Sequence, residues 1–399
     1  MTSFPVVRFR ENSFYSTLAG FCMVSMGLCL CRYAYAPLVP AMIAAGWVDQ
    51  AGAGYLGGFN ALGYLGGALV AIFLPSRLPL RDILRASIVA VLVSLVMCGW
   101  NLGFAWLAVA RALTGLGGAS LVIHAPSLAL APVPEGWKKL AGGAVFAGAG
   151  STILLVSLAL PGFLQKSIGS GWLFEGGIAL VAGCMAWPLT AGATVEADHA
   201  RTKARLGPGE RRAIFLLGFA YFLAAVGITP HTLFLTDYLH RDLHMTTANS
   251  IYLYSLVGLG SLGGALAGGA ASRVFGTSPS LSVNYLLGCV AVAIVLLTGE
   301  LWWISFSVFA IGFFLFACLA LSSQRTAEIA GAVNHARYWG FLTLAFATGL
   351  TVGSYGLAWL VDLGASYRAT FLWAGAALAL AFFLSLRLLR RPQETAVAS

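Results

Sequence analysis

Apolar runs of about 20 residues or more recur along this chain between short polar breaks. An α-helix rises about 1.5 Å per residue, so a run of that length crosses a hydrocarbon core of about 30 Å. Hydrophobic residues make up 59% of the chain and charged residues 9%, which excludes an ordinary soluble domain. We predict an all-α polytopic membrane protein with twelve transmembrane helices, which begin near Phe14, Gly52, Ile83, Trp106, Leu140, Trp172, Arg212, Ala248, Ser280, Trp302, Arg337 and Tyr367.

Lysine and arginine are distributed unevenly over the predicted loops. If the N-terminus is cytoplasmic, most of the 23 Lys and Arg residues fall in cytoplasmic segments, and only Lys166, Arg241 and Arg368 fall outside. Cytoplasmic loops of membrane proteins carry such an excess, so we predict that both termini are cytoplasmic. The same loops account for the net charge of +9, so we expect no nucleic-acid partner.

The longest polar stretch divides the chain near its middle. Residues 194–210 are rich in charge and contain Gly207-Pro208-Gly209, which is typical of a linker. We predict a six-helix bundle over residues 1–193, a cytoplasmic linker over residues 194–210 and a second six-helix bundle over residues 211–399.

The two halves also resemble each other in sequence. The run Gly63-Tyr64-Leu65-Gly66-Gly67-Ala68-Leu69 matches Gly260-Ser261-Leu262-Gly263-Gly264-Ala265-Leu266 at an offset of 197 residues, and Pro37 and Pro230 lie 193 residues apart. Equivalent elements half a chain apart indicate two pseudo-repeats with a binding site between them, near the membrane midplane.

Two arginines lie inside predicted spans, Arg32 near the middle of the first and Arg111 in the fourth. A charge near the bilayer centre costs about 3 to more than 10 kcal/mol, so such residues usually face a wet cavity and a partner. No Asp or Glu lies in the middle of a predicted span, and a guanidinium fits a carboxylate or a phosphate. An anionic substrate is the simplest partner. The alternative is that each arginine only fastens helices together by bonding backbone carbonyls or a protein acid.

Polar and aromatic residues on other spans are candidates to line the same cavity. Asn60 and Tyr64 are four residues apart, and Asn249 and Tyr252 are three apart, so each pair shares a helix face. Interhelical hydrogen bonding is the alternative role for both pairs. The predicted substrate site consists of Arg32, Tyr35, Asn60, Tyr64, Arg111, Tyr221, Tyr252 and Trp339.

Three motifs resemble a known transporter family. The six-plus-six layout resembles that of the major facilitator superfamily. The fourth-helix motif of that superfamily is similar to the run Arg111-Ala112-Leu113-Thr114-Gly115-Leu116-Gly117-Gly118-Ala119. The runs Arg32-Tyr33-Ala34-Tyr35-Ala36-Pro37-Leu38-Val39-Pro40 and Asn60-Ala61-Leu62-Gly63-Tyr64-Leu65-Gly66-Gly67-Ala68 resemble the YbfB/YjiJ-type branch of bacterial carriers. Residues 74–82 depart from the superfamily pattern, because they keep the basic residues but have no acid at the usual place. The resemblance implies transport across a bacterial inner membrane.

Three residues are candidates for coupling and gating. Carriers driven by protons commonly hold a carboxylate inside the membrane, and none is evident in the middle of a span here. We predict this role for Asp237, near the outer end of the seventh span, and for His124 and His231, because imidazole titrates near neutral pH. A hydrogen-bonded structural role is the alternative for both histidines.

We therefore expect a monomeric secondary active transporter that moves a small, carboxylate-bearing organic anion by alternating access, by symport if a proton is coupled. Transport of a larger amphipathic compound, as in drug efflux or siderophore uptake, is the alternative. A transport-fold sensor or a membrane enzyme is the alternative from another class. The sequence contains no Walker loop, no zinc-ligand spacing and no Ser-His-Asp set, so we expect no enzyme activity, no metal and no cofactor.

Overall fold

The structure is a computed structural model that describes residues 12–191, 193 and 206–389. The described residues form twelve long helices and no strand, which confirms the predicted all-α fold. The helices are α1 (Ser13–Ala44), α2 (Gln50–Phe73), α3 (Leu80–Cys98), α4 (Phe104–Leu130), α5 (Lys138–Leu164), α6 (Ile168–Thr190), α7 (Pro208–Leu233), α8 (Thr247–Phe275), α9 (Thr277–Leu297), α10 (Leu301–Gly331), α11 (Arg337–Asp362) and α12 (Tyr367–Arg387).

Eleven of these described helices are long and apolar enough to cross a membrane by themselves. The exception is α3, where Arg81, Asp82 and Arg85 occupy the first two turns. Its remaining residues are as apolar as those of the other helices, so α3 crosses the membrane with its charged turns at the surface. The chain is thus a multi-pass membrane protein.

Within each half of the chain, short described loops join consecutive helices, so the helices of each half alternate in direction. One end of the molecule, here called the basic end, carries Arg77, Lys138, Arg273 and Arg387, among others. The other end, here called the opposite end, carries Lys166, Arg241 and Arg368. At the basic end the chain passes from α10 to α11 through Gly331, whose φ of 72° lies in the region that favours glycine.

The helices form two six-helix bundles. In the first, α1 packs against α4, α5 and α6, and α2 packs against α4; in the second, α7 packs against α11 and α12. The bundles meet where α2 contacts α11 and α5 contacts α8. Most of the predicted linker lies outside the described residues, and its last three residues already belong to α7, which begins at Pro208. Proline is well suited to the first position of a helix, because an N–H at that position would have no partner within the helix.

The repeat found in the sequence reappears as a repeated contact between helices. A Cβ on Gly63 or Gly67 of α2 would overlap a carbonyl oxygen of α4, and a Cβ on Gly260 or Gly264 of α8 would overlap one of α10. The contacted residues keep the offset of 197, which confirms two pseudo-repeats; the pairs are Gly63 with Ala112, Gly67 with Leu116, Gly260 with Phe309 and Gly264 with Phe313.

We expect Gly67→Ala to destabilise the protein by about 1–3 kcal/mol, because its methyl group would push α2 away from the Leu116 carbonyl. Gly66 is the matched control, since no atom lies within 4 Å of a Cβ at that position. Gly66→Ala should leave the protein unchanged or slightly more stable, because alanine favours helix. Thermal unfolding of both variants in detergent tests this, and equal melting temperatures for the two would contradict it.

Candidate functional site

The middle of α1 departs from α-helical geometry just where Arg32 lies. Residues Ser25–Tyr33 form a π-helix, in which the Ala34 N–H donates to the Cys29 carbonyl five residues back, at 2.9 Å. A 3-10 turn, Ala36–Leu38, follows. Pro37 lies in this turn and, because it has no N–H, cannot extend the regular ladder. Single π turns inside α-helices occur frequently at functional sites.

Arg32 is buried between the two bundles. Its side chain borders a small space of about 10 Å³, together with Asn60 and Arg111 from the first bundle and Thr232 and Ser354 from the second. The Arg32 Nε has no hydrogen-bond partner, and no described carboxylate lies within ion-pair distance of the guanidinium. A space of this size has room for about one water molecule.

Three tyrosines lie within electrostatic range of the Arg32 guanidinium, namely Tyr33, Tyr64 and Tyr254. Tyr254 of α8 is fully buried, and its hydroxyl has no hydrogen-bond partner. Sequence reasoning missed it and named Tyr252, whose side chain is 45% exposed. Two residues along a helix turn the side chain by about 200°, so the pairing of Tyr252 with Asn249 selected the other face of α8.

A larger cavity of about 80 Å³ extends from this layer toward the basic end. It is lined by residues of α1, α2, α4, α5, α7, α10 and α11, and half of these residues are aromatic. Tyr64, Tyr221 and Trp339 of the predicted site are among them. The Tyr221 ring lies 5.9 Å from the Trp339 ring and 4.5 Å from the Phe346 ring, so α7 and α11 form one aromatic wall.

The space between the bundles is closed at the opposite end. The Thr236 hydroxyl, just beyond α7, donates to the Ala36 carbonyl of α1. The Tyr55 hydroxyl lies 3.3 Å from Asp362 Oδ2, which joins α2 to α11. Leu233 fills the position next to Gly57, where a Cβ would be too close to its side chain. In this conformation the two bundles are therefore in contact on the opposite-end side of Arg32.

Arg111 is fully buried in α4 and lies against aromatic rings. Its guanidinium carbon is 4.3 Å from the centre of the Tyr35 ring and 5.8 Å from that of Trp172. The two rings stack with centroids 6.1 Å apart, and the Tyr35 hydroxyl donates to the Ala53 carbonyl at 2.9 Å. The Arg111 Nε and Nη1 atoms have no hydrogen-bond partner. Aromatic faces attract this cation but leave its donors free.

The position of Asn60 is compatible with both of the roles predicted for it. Its Nδ2 donates to the Arg111 carbonyl at 3.1 Å and lies 3.6 Å from the Cys31 sulfur, so it links α2 to α4 and α1. It also borders the small space beside Arg32. The amide therefore positions the helices that carry both arginines.

The two predicted coupling histidines border neither of these spaces. His231 is fully buried within the second bundle, where its Nε2 lies 3.4 Å from the Ser307 hydroxyl and its ring packs edge-on against Phe371. His124 lies near the basic end of α4, and its Nε2 has no hydrogen-bond partner. The position of His231 fits the structural alternative.

Asp237 lies in a short helix, Leu235–Arg241, that follows α7 at the opposite end. Its carboxylate is fully buried and accepts hydrogen bonds from Arg241 Nε at 2.9 Å and from the Tyr367 hydroxyl at 2.6 Å. These bonds tie the end of α7 to the start of α12. The residue thus lies at the opposite end of the molecule.

Glu175 is a buried acid that sequence reasoning did not single out. It is fully buried in α6, and neither of its carboxylate oxygens has a hydrogen-bond partner. The sequence predicted that this helix begins near Trp172, whereas α6 begins at Ile168. Four more residues at the start of the helix place Glu175 about 6 Å deeper than expected.

The comparisons with known proteins agree with this fold. The sequence model of the family described as "Uncharacterised MFS-type transporter YbfB" matches residues 22–386. A crystal structure of a mutant of the nucleoside transporter NupG is similar, with a TM-score of 0.71 over 95% of this chain and 100% of that chain. The two sequences are 10% identical, so the similarity concerns the fold alone. No curated protein matches the chain.

Proposed function

Because this chain belongs to the YbfB-type family of major facilitator superfamily transporters, we propose that it is a secondary carrier of a small organic anion and that Arg32 binds the anion's carboxylate. The observation that carries the proposal is the setting of Arg32, which is buried between the bundles without a described carboxylate partner. A buried cation with free donors is stabilised by an anion that enters the cavity, and a guanidinium binds a carboxylate through two parallel hydrogen bonds.

The aromatic cavity supports an anion with an apolar body. Phe146, Phe316, Trp339 and Phe346 would contact the apolar part while Arg32 held the carboxylate. Pockets for metabolite-sized ligands usually measure about 300 Å³ or more, so this conformation is nearly occluded and must widen when substrate enters. The same lining favours the second candidate, a larger amphipathic compound, for which the aromatic wall would supply most of the affinity.

The difference between the two ends of the molecule supports alternating access as the transport mechanism. The bundles are closed at the opposite end, and the cavity extends toward the basic end. We assign the basic end to the cytoplasm of a bacterium, because cytoplasmic loops carry the excess of Lys and Arg. The nearly occluded cavity then lies on the cytoplasmic side of Arg32. Rocking of the two pseudo-repeats about the α2–α11 and α5–α8 contacts would open the other side.

A ligand screen tests the anion preference. We expect benzoate and other carboxylates to raise the melting temperature of the purified protein, and their uncharged amides, such as benzamide, to leave it unchanged. Saturation at 100 times the dissociation constant stabilises the folded state by about 2.7 kcal/mol. Arg32→Gln should lose the response to carboxylates. Equal shifts from both members of each pair, or shifts from uncharged amphipathic compounds only, would favour the second candidate and contradict the anion site.

A further inference from the structure

Glu175 and Arg111 are two ionisable residues that are buried within electrostatic range of each other without being paired. Neither Glu175 oxygen has a hydrogen-bond partner, nor have the Arg111 Nε and Nη1 atoms, and neither residue forms an ion pair with any described residue. Each lies seven residues from the start of its helix at the opposite end, at a depth of about 10 Å. The two side chains therefore lie at the same level of the first bundle.

Among the described residues, Arg111 is the one cation within electrostatic range of Glu175. The charged or titratable groups within its electrostatic range are Arg111 from α4, Cys29 from α1 and Cys98 from α3. Removing a carboxylate from water costs several kcal/mol unless it is paired and hydrogen-bonded. Two arrangements avoid that cost here, a neutral acid that leaves Arg111 free and a carboxylate that binds Arg111 directly.

We propose that Glu175 is the proton-binding site of this carrier and that it exchanges its proton for an ion pair with Arg111. When the acid releases its proton to water, the remaining carboxylate binds the Arg111 guanidinium. When the carboxylate takes up a proton, Arg111 is released. The unpaired arrangement in this structure corresponds to the protonated acid.

This exchange connects the proton to the anion site. The proposal thus rests on the proposed transport function, because Arg111 and Arg32 border the same small space between the bundles. With Glu175 protonated, both guanidinium charges act on that space; with Glu175 ionised, Arg111 is neutralised and Arg32 acts alone. Protonation therefore favours anion binding, and proton and anion move in the same direction.

Asp237 provides the matched comparison, since it is the other wholly buried carboxylate of the described residues. Its Oδ2 already accepts hydrogen bonds from Arg241 and from Tyr367. A cationic donor and a hydroxyl donor thus bind the Asp237 carboxylate directly. Both acids are thus fully buried, but only the Asp237 carboxylate accepts hydrogen bonds.

Infrared spectroscopy of the purified protein tests the site without any substrate. At neutral pH, surface carboxylates are ionised, so a carboxylic-acid C=O band reports a buried protonated acid. We expect this band in the wild-type protein and in Asp237→Asn, and its loss in Glu175→Gln. In Arg111→Gln the band should persist to a pH higher by about one unit or more, because the cation that stabilises the carboxylate is gone.

Glu175→Asp keeps an acid and should keep a band at a displaced frequency, so a folding failure of the glutamine variant still leaves a result. A wild-type band that survives in Glu175→Gln, or a wild-type protein without such a band, would overturn the proposal. If the carboxylic-acid band disappears at the same pH in Arg111→Gln as in the wild-type protein, the proposed exchange with Arg111 is overturned. The spectra need no anion, so their outcome is separate from that of the transport tests.

Discussion

Transport of the organic anion is expected to fall to the background level in Arg32→Gln and by about tenfold or more in Arg32→Lys. A charge-assisted hydrogen bond contributes about 1.5–3 kcal/mol, and two of them in a fork account for a factor of about a hundred or more in affinity. Glutamine removes the charge. Lysine keeps a charge, but it has a single ammonium group instead of a planar fork and a shorter reach.

The measurement is uptake of radiolabelled benzoate into lipid vesicles that contain the purified protein. Arg273→Gln is the control, because Arg273 is an exposed arginine at the basic end of α8 and its loss changes the net charge equally. Size-exclusion chromatography of each variant separates misfolding from loss of function. Undiminished transport by both Arg32 variants would remove Arg32 from the substrate site.

Locking the opposite end is expected to stop transport altogether. Tyr55 of α2 and Asp362 of α11 are in contact across the two bundles, with their oxygens 3.3 Å apart. In the variant Tyr55→Cys/Asp362→Cys, a short, reducible bifunctional thiol reagent should join the helices in the conformation described here. A carrier that works by alternating access cannot then open its other side, so uptake should fall to the level of empty vesicles.

Reduction of the cross-link should restore uptake, which separates locking from damage. The two single-cysteine variants, treated in the same way, are the controls for reaction at the native cysteines. All seven native cysteines lie within the helices, and of these Cys184 is exposed and Cys289 half-buried. Full transport by the cross-linked protein would contradict alternating access about this contact.

The fold could be predicted because its signals are local and one-dimensional. A membrane-spanning helix requires an unbroken apolar run, and the run itself is visible in the sequence. The repeat was equally visible, because close helix contact requires glycine at the same places in both halves, as at Gly63 and Gly260. The excess of Lys and Arg at one end marks a single side of the membrane.

The site was predictable only in part, because it depends on how deep each side chain lies in the membrane and on which face of its helix points toward the other helices. Arg32 could be found from the sequence, because a charge inside an apolar span has a high free-energy cost and therefore calls for a partner. Glu175 was missed because a four-residue error in the start of α6 moved it from the interior to the rim. Tyr254 was missed because no sequence pattern shows which face of α8 meets the other bundle. The depth of Glu175 and the orientation of Tyr254 are both set by packing between helices that are far apart in the chain.

Counterflow is the measurement that tests the central claim most directly. Vesicles containing the protein are loaded with unlabelled benzoate and diluted into a trace of labelled benzoate. A carrier with an Arg32 anion site should accumulate the label transiently above its equilibrium level, and Arg32→Gln should not. If the wild-type protein shows no counterflow with benzoate or with any carboxylate that stabilises it in the ligand screen, the account of this protein as an organic-anion carrier is contradicted.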